Sequence, residues 1–375
     1  SKDSKSFLED NAIADLLKKY NRFMPIPIKF GTKEITNKIG DGKKEKEVKE
    51  TVDNIINNPS PAWTKQPKDL KEEDYKSFYR ELYPMQFEDP LFNIHLNVDY
   101  PFNLTGILYF PKLTNDVNIQ KDKIQLYQNQ VFVTDNVEGI VPEFLTLLRG
   151  VIDSPDIPLN VSRSYLQADG AVKKISAYIT RKVADKLSSL FKKDREGFEK
   201  KWNDIKLVIE YGMLSEEKFF EKSEKFALYP SVDDEFYTYE ELYNKIKAKQ
   251  TDKDDKLVIL YASDKQAQHS YIQNAKNKGY EVLLLDSPIV SHLIQKLESS
   301  KEKIQFSRVD SDHIDNLINK NENKVSKLDD DQKKQLEETV KSIISDDKFV
   351  IKLESMDSNE NPFIITNPEF MRRMK

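Results

Sequence analysis

The stretch Gly150–Gln167, GVIDSPDIPLNVSRSYLQ, carries more structural information than any other part of this 375-residue chain. Two prolines push the residue before each of them into an extended conformation, which predicts a rigid loop in its first half. Asn160 and Ser162 are residue types that cap helices, so a helix should begin close to Arg163. Gln167 follows one helical turn later and shares a face with that arginine.

An arginine at a loop-to-helix corner has two interpretations. It is either a surface residue on a capped helix, or a group that senses phosphate. The guanidinium is always charged, and its planar fork matches phosphate oxygens, so a rigid loop that presents Arg163 suits the second role. Residue types alone leave both interpretations open.

Composition excludes several classes of protein. The chain has 59 basic and 64 acidic residues and a net charge of -5, which gives no electrostatic case for nucleic-acid binding. It has no cysteine, which excludes disulfides and thiolate metal sites and favours a cytoplasmic protein. No apolar run is long enough to cross a bilayer, and no signal-peptide pattern occurs at the start. Since the chain begins without Met, we expect it to be part of a longer protein.

The sequence offers few chemical motifs. Four histidines, His95, His269, His292 and His313, are scattered without the spacing of metal ligands, so no metal site is expected. A G-x-S-x-G elbow, a pair of catalytic carboxylates and a thiol nucleophile are absent. With 10 glycines and neither a Rossmann fingerprint nor a P-loop, the chain is expected to hold no nucleotide site of its own.

Apolar periodicity and turn residues predict a mixture of helices and strands, and hence a multi-domain α/β (α+β) fold. Helices are expected at 11–20 behind an Asp10 cap, from an Asp69–Glu72 capping box to 82, at 141–148, 172–191, much of 198–249, 265–278 and 336–344. Strands are expected at 23–30 (an edge strand), 94–98, 104–110, 124–127, 131–133, 257–262, 281–285, 349–353 and 363–366. Residues 31–51 should form a mobile hairpin or loop, and 319–332 a linker.

Several segments together resemble one family. They are NPSPAWT (58–64), FEDPL (87–91), LTGILYFP (104–111), and IQLYQNQVFVTDNVEGIVPEFLTLLRG (124–150), which leads into the stretch quoted above. In this order they resemble the heat-shock protein 90 chaperones, especially the bacterial HtpG type. The resemblance covers the middle domain of that family and the first part of its C-terminal domain.

The resemblance implies a domain organisation. Residues 1–185 would form a large three-layer α/β/α middle subdomain that carries the catalytic loop, and 186–250 a helical connector. Residues 251–305 would form a small α/β/α subdomain with a βαβ unit. Residues 306–375 would begin the C-terminal dimerisation domain, as a truncated α+β piece.

The resemblance also implies an ATPase mechanism in the longer protein. ATP with Mg²⁺ would bind mainly to an N-terminal domain that this chain does not contain. Arg163 would reach the γ-phosphate when the domains dock, while Gln167 organises the loop and Asn160 shapes its corner. The chain alone would be inactive, so whether it counts as an enzyme depends on the longer protein.

Partners follow from the same resemblance, which implies a stress-response chaperone that binds unfolded or partly folded client proteins. Phe87 and Phe92 are candidate client contacts, although they could equally be core residues beside a strand. Asn93 departs from the aromatic residue usual in close bacterial relatives, which weakens the case for this patch. The longer protein would form a homodimer, whereas this chain is expected to be a monomer.

Two alternatives differ in class from a chaperone. The chain could be the second domain of a mismatch-repair or type II topoisomerase-like ATPase, but those use a lysine and should show a basic face. It could also be a non-catalytic scaffold that binds partners through its aromatic surface.

Overall fold

A computed structural model describes residues 9–39, 46–112, 123–157, 170–320, 326–344, 349–356 and 361–368. The chain divides into two compact units, Ser1–Phe226 and Ala227–Lys375. Both contain helices and strands, so the predicted mixed α/β fold class is confirmed. The finer division into four parts stays a prediction.

The first unit opens with a helix and a hairpin. Helix α1 (Asp10–Asn21) is followed by strands β1 (Lys29–Ile39) and β2 (Lys46–Ile55), which pair antiparallel. The hairpin predicted within 31–51 is confirmed. The edge strand predicted at 23–30 is wrong, because two prolines in that stretch provide no N–H for a ladder and pairing begins only at its end. The Asp10 cap is also wrong, since Asp10 is already helical.

Helix α2 (Glu72–Leu82) leads into the main sheet and buries Phe78, Tyr79 and Leu82, as its apolar spacing predicts. Its predicted capping box is wrong. Asp69 belongs to a preceding 3-10 turn, and the Asp74 carboxylate instead accepts the backbone N–H of Lys71 at 2.8 Å.

The main sheet has five strands in the order β3-β4-β7-β5-β6. They are β3 (Phe92–Val98), β4 (Leu104–Phe110), β5 (Ile124–Gln128), β6 (Val131–Thr134) and β7 (Arg149–Asp153), and the first four confirm predicted strands. β7 lies in the centre, antiparallel to β4 and parallel to β5. The helix predicted at 141–148 is instead a 3-10 helix, Glu143–Leu147.

Two glycines allow β4 and β7 to pair closely. Gly150 has φ +132, and a Cβ there would lie 2.0 Å from the carbonyl oxygen of Ile107. A Cβ on Gly106 would lie 2.3 Å from the carbonyl oxygen of Val151. The two strands can therefore pair this closely only because neither position carries a side chain.

Four helices complete the first unit: α3 (Gly170–Lys193), α4 (Arg195–Lys200), α5 (Trp202–Ser215) and α6 (Glu217–Ser223). The long helix expected at 172–191 is confirmed, and its apolar stripe is buried from Val172 to Leu187. Trp202, Phe219 and Phe226 are buried as well.

The second unit contains a three-stranded parallel sheet in the order β11-β10-β12. Its elements are β8 (Tyr229–Pro230), β9 (Phe236–Tyr237), α7 (Tyr239–Gln250), β10 (Leu257–Ala262), α8 (His269–Asn277), β11 (Val282–Leu284), α9 (Val290–Ser300), β12 (Ile304–Arg308) and α10 (Ile314–Leu317). The predicted βαβ unit is confirmed. The β8–β9 hairpin interrupts the helical stretch predicted at 198–249.

The last part of the second unit differs from the secondary structure predicted for it. Helix α11 (Asp330–Ile343) begins inside the predicted linker, because the Asp329 carboxylate accepts the backbone N–H of Gln332 at 2.8 Å. Residues 349–353 and 363–366 are not strands, and α11 buries none of its residues. Its apolar stripe therefore covers no strand among the described residues at this end of the chain. Among the described helices, none has both the length and the apolar character that a bilayer span requires.

We predict that Gly150→Ala destabilises the protein by about 3 kcal/mol, because it adds strain at φ +132 and a contact with backbone that cannot move aside. Gly170→Ala is the matched control: a Cβ there meets nothing within 4 Å, so stability should change by less than about 0.5 kcal/mol. Urea unfolding measures both. Equal stabilities for the two variants would contradict the close strand pairing.

Candidate functional site

The central strand β7 ends at a buried carboxylate, Asp153, which is 6% exposed. Its Oδ2 accepts the indole N–H of Trp63 at 3.3 Å and the backbone N–H of Gln130 at 2.9 Å. Burial raises the pKa of Asp153 above its ordinary value, although N–H groups of Gln130, Trp63 and Asn129 act in the opposite direction. Hydrogen bonds from these N–H groups thus partly compensate the burial of the acid.

These donors fix two separate parts of the chain against the end of β7. Asn129 and Gln130 form the two-residue turn between β5 and β6, and both have positive φ, at 51° and 65°. Such angles suit a type I′ hairpin turn but are uncommon for residues other than glycine. The Asp153 carboxylate stabilises this turn by accepting its N–H groups.

Trp63 is fully buried in an aromatic cluster. Its ring centroid lies 4.7 Å from that of Phe23, 5.2 Å from that of Tyr127 and 5.5 Å from that of Phe78. Edge-to-face and tilted pairs of this kind are favourable and restrict ring orientation. The indole N–H is therefore aimed at Asp153 by packing as well as by the hydrogen bond.

Residues 153–157, here called the loop root, leave the sheet along a defined path. The backbone N–H of Ser154 donates to Tyr127 at 3.2 Å, and the side-chain amide of Gln128 donates to the carbonyl of Pro155 at 3.0 Å. Ser154 and Ile157 are buried. The chain thus arrives at residue 157 from a rigid support.

The predicted catalytic residues Asn160, Arg163 and Gln167 fall within 158–169, outside the described residues, so their roles stay predictions. The structure describes the loop root, which precedes this segment, and α3, which follows it. Asp153, Trp63 and Gln130 were not predicted as site residues. A carboxylate that ends an apolar run, as in GVID, is the signal that could have found Asp153.

The two candidate client contacts differ in exposure. Phe87 is 95% exposed, whereas Phe92 is partly buried and its ring stacks on that of Phe110, with centroids 4.3 Å apart. Phe92 also pairs with Phe110 across β3 and β4. Phe87 is therefore available to a partner without rearrangement, while much of Phe92 is covered.

The loop that carries Phe87 is held by charged contacts. The Arg80 guanidinium donates to Asp89 at 2.8 and 3.2 Å, and the ammonium of Lys76 lies 3.7 Å from the same carboxylate. The backbone N–H of Leu91 donates to Phe110 at 2.8 Å. An exposed aromatic ring on a loop with fixed ends loses less entropy when it binds a partner.

We predict that Asp153→Asn changes how stability depends on pH. Because the folded pKa of Asp153 is raised, the folded protein binds this proton more tightly than the unfolded chain does. The free energy of unfolding should therefore fall as pH rises from the ordinary aspartate value of 3.8 through the raised pKa. Asp153→Asn should lack this fall, and urea unfolding between about pH 4 and about pH 7 measures it. Asp135→Asn is the control, because Asp135 is exposed. The prediction is contradicted if the free energy of unfolding depends on pH in the same way for the parent, Asp153→Asn and Asp135→Asn.

Comparisons with known proteins identify the family. A family model described as Hsp90 protein matches residues 31–372. The chaperone protein HtpG of Bacteroides thetaiotaomicron is 54% identical over 376 residues, which cover 100% of this chain and 54% of that protein. HtpG of Porphyromonas gingivalis is 52% identical with the same coverage, and HtpG of Clostridium acetobutylicum is 29% identical over 90% of this chain and 54% of its own length.

The chain therefore spans about half the length of the curated relatives it matches. A family match over most of the chain excludes the mismatch-repair and topoisomerase alternative. The resemblance noted from the sequence is confirmed: this chain belongs to the Hsp90 protein family and is similar to its bacterial HtpG members.

Proposed function

We propose that the chain forms the middle part, and the start of the C-terminal part, of an ATP-dependent molecular chaperone. The observation that carries the proposal is the loop root, which ends two residues before the asparagine-hydrophobic-serine-arginine run Asn160–Arg163 in a chain of the Hsp90 family. Since the sequence has neither a P-loop nor a Rossmann fingerprint, ATP with Mg²⁺ would bind mainly to a domain outside this chain.

Arg163 is the proposed catalytic residue. Phosphoryl transfer needs positive charge where negative charge develops on the γ-phosphate, and a guanidinium supplies it in a bidentate geometry. An arginine that arrives only when two domains dock would couple hydrolysis to closure. Asn160 and Gln167 would shape and organise the loop around it.

Client binding is the second part of the proposal. Phe87 is supported by its 95% exposure and by the fixed ends of its loop, and Met85 in the same loop is 79% exposed. Large exposed apolar side chains close together are typical of protein-binding surfaces. Unfolded or partly folded proteins expose the apolar segments that such a surface would bind. Phe92 would contribute only through the part of its ring that Phe110 leaves exposed.

The longer protein would work as a homodimer, while this chain alone would be a monomer without ATPase activity. The exposed stripe of α11, with Leu336 at 42% and Ile343 at 75% exposure, is apolar surface of the kind that a larger assembly covers.

We predict that Arg163→Ala, in the full-length protein that contains this chain, lowers the rate of ATP hydrolysis by on the order of a thousandfold. ATP affinity should change little, because the nucleotide pocket lies in another domain. Arg163→Lys should also hydrolyse ATP poorly, since an ammonium lacks the planar fork. Steady-state hydrolysis and calorimetric ATP binding measure the two effects, and a parental rate for Arg163→Ala would show that the assignment is wrong.

We predict that Phe87→Ser weakens the binding of a permanently unfolded polypeptide by about tenfold, because a buried phenyl ring contributes about 1.5–3 kcal/mol to an interface. Stability should stay unchanged, since the ring is 95% exposed in the free protein. Fluorescence anisotropy with this chain measures the affinity. Tyr100→Ser is the control, an aromatic residue of 85% exposure on another turn. Equal weakening by both variants would mean that general surface hydrophobicity, and not this loop, binds the polypeptide.

A further inference from the structure

The turn between β3 and β4 is bonded to the loop root through a single residue. The backbone N–H of Asn103 donates to Oδ2 of Asp156 at 2.6 Å, and the Ser154 hydroxyl donates to the carbonyl of Asn103 at 2.6 Å. The side-chain amide of Asn103 lies 3.4 Å from the same carboxylate. We call this set, Asn103, Ser154 and Asp156, the Asn103 clamp.

The clamp acts on the residues that follow the end of β7. β7 ends at Asp153, and the described residues 154–157 belong to no strand. Backbone N–H groups that donate to a carboxylate form charge-assisted hydrogen bonds, which are stronger than neutral ones. The short contact to Asp156 therefore limits how residues 154–157 can turn away from the sheet.

The same turn also contacts the element on the far side of residues 158–169. Phe102 is buried, and its ring meets that of Tyr178 on α3 edge-to-face, with centroids 5.6 Å apart. One short turn thus touches both described elements that flank this segment, the loop root before it and α3 after it. The turn therefore helps to fix the position of the loop root relative to α3.

We propose that Asp156, acting through Asn103, is a positioning residue for Arg163. This inference rests on the proposed catalytic function of Arg163, which follows Asp156 by seven residues. Asp156 touches no substrate in this role. It holds residues 154–157, from which the chain continues towards Arg163, and a displacement of these residues would reduce the fraction of closed molecules whose guanidinium reaches the phosphate.

The exposure of Asp156 allows positioning to be separated from stability. Its side chain is exposed, so its removal should cost little of the free energy of unfolding, as is usual for surface substitutions. A contact that mattered only for stability would change the thermal midpoint and leave kcat unaffected, whereas a positioning contact would do the reverse.

The test uses the full-length protein. Asp156→Ala should lower kcat for ATP hydrolysis by on the order of tenfold, with KM and the thermal midpoint unchanged. Asp156→Asn, which keeps an acceptor at the same place, should recover most of the rate. The matched control is Asp135→Ala, an exposed aspartate with no role in the clamp, which should behave as the parent.

A double-mutant cycle with Arg163→Ala completes the test. In single-turnover hydrolysis, Asp156→Ala should slow the parent but cause no further loss in the Arg163→Ala background, because both changes act through one guanidinium. Additive losses, an unchanged kcat in Asp156→Ala, or a thermal midpoint that falls with kcat in both Asp156 variants would overturn the positioning role. If Arg163→Ala itself kept the parental rate, the proposed function would fail first, and the inference with it.

Discussion

The carboxylate of Asp153 is the point on which the first unit depends. It stands at the end of the central strand and accepts N–H groups from a tryptophan and from the turn of a neighbouring hairpin. A buried acid without these donors would be unfavourable, so the three parts stabilise one another. The path of the loop root, and hence the start of the segment that carries Arg163, follows from this arrangement.

Part of the fold could be predicted from the sequence because local patterns determine it. Strands β3 to β6 alternate or run apolar between turn residues, and α3 repeats apolar residues at helical spacing, so tertiary packing reinforces what the sequence favours. The predicted bounds of strands and helices were wrong where a second local interaction opposed the periodic pattern. The prolines before β1 prevented pairing, and the Asp264 carboxylate delayed α8 by binding the N–H groups of Gln266 and Ala267.

The candidate site was less predictable than the fold. Trp63 and Asp153 are 90 residues apart, and nothing in either local sequence indicates that they meet. The exposure of side chains could not be predicted from the sequence either. Phe87 and Phe92 are five residues apart and of one type, yet Phe92 has a strand partner that covers its ring and Phe87 is exposed. The strands predicted near the end failed for a related reason, since extended apolar segments become strands only where a neighbour offers a ladder.

The separation between Trp63 and Asp153 also has a kinetic consequence. A contact between residues far apart in sequence requires the closure of a long loop. The chain loses conformational entropy in that closure before the contact can stabilise it. The β3–β4 hairpin can form early from neighbouring residues, but the hydrogen bond that joins the tryptophan to the end of β7 needs nearly the whole sheet in place. We therefore expect the support for the arginine-bearing segment to form later in folding than the β3–β4 hairpin.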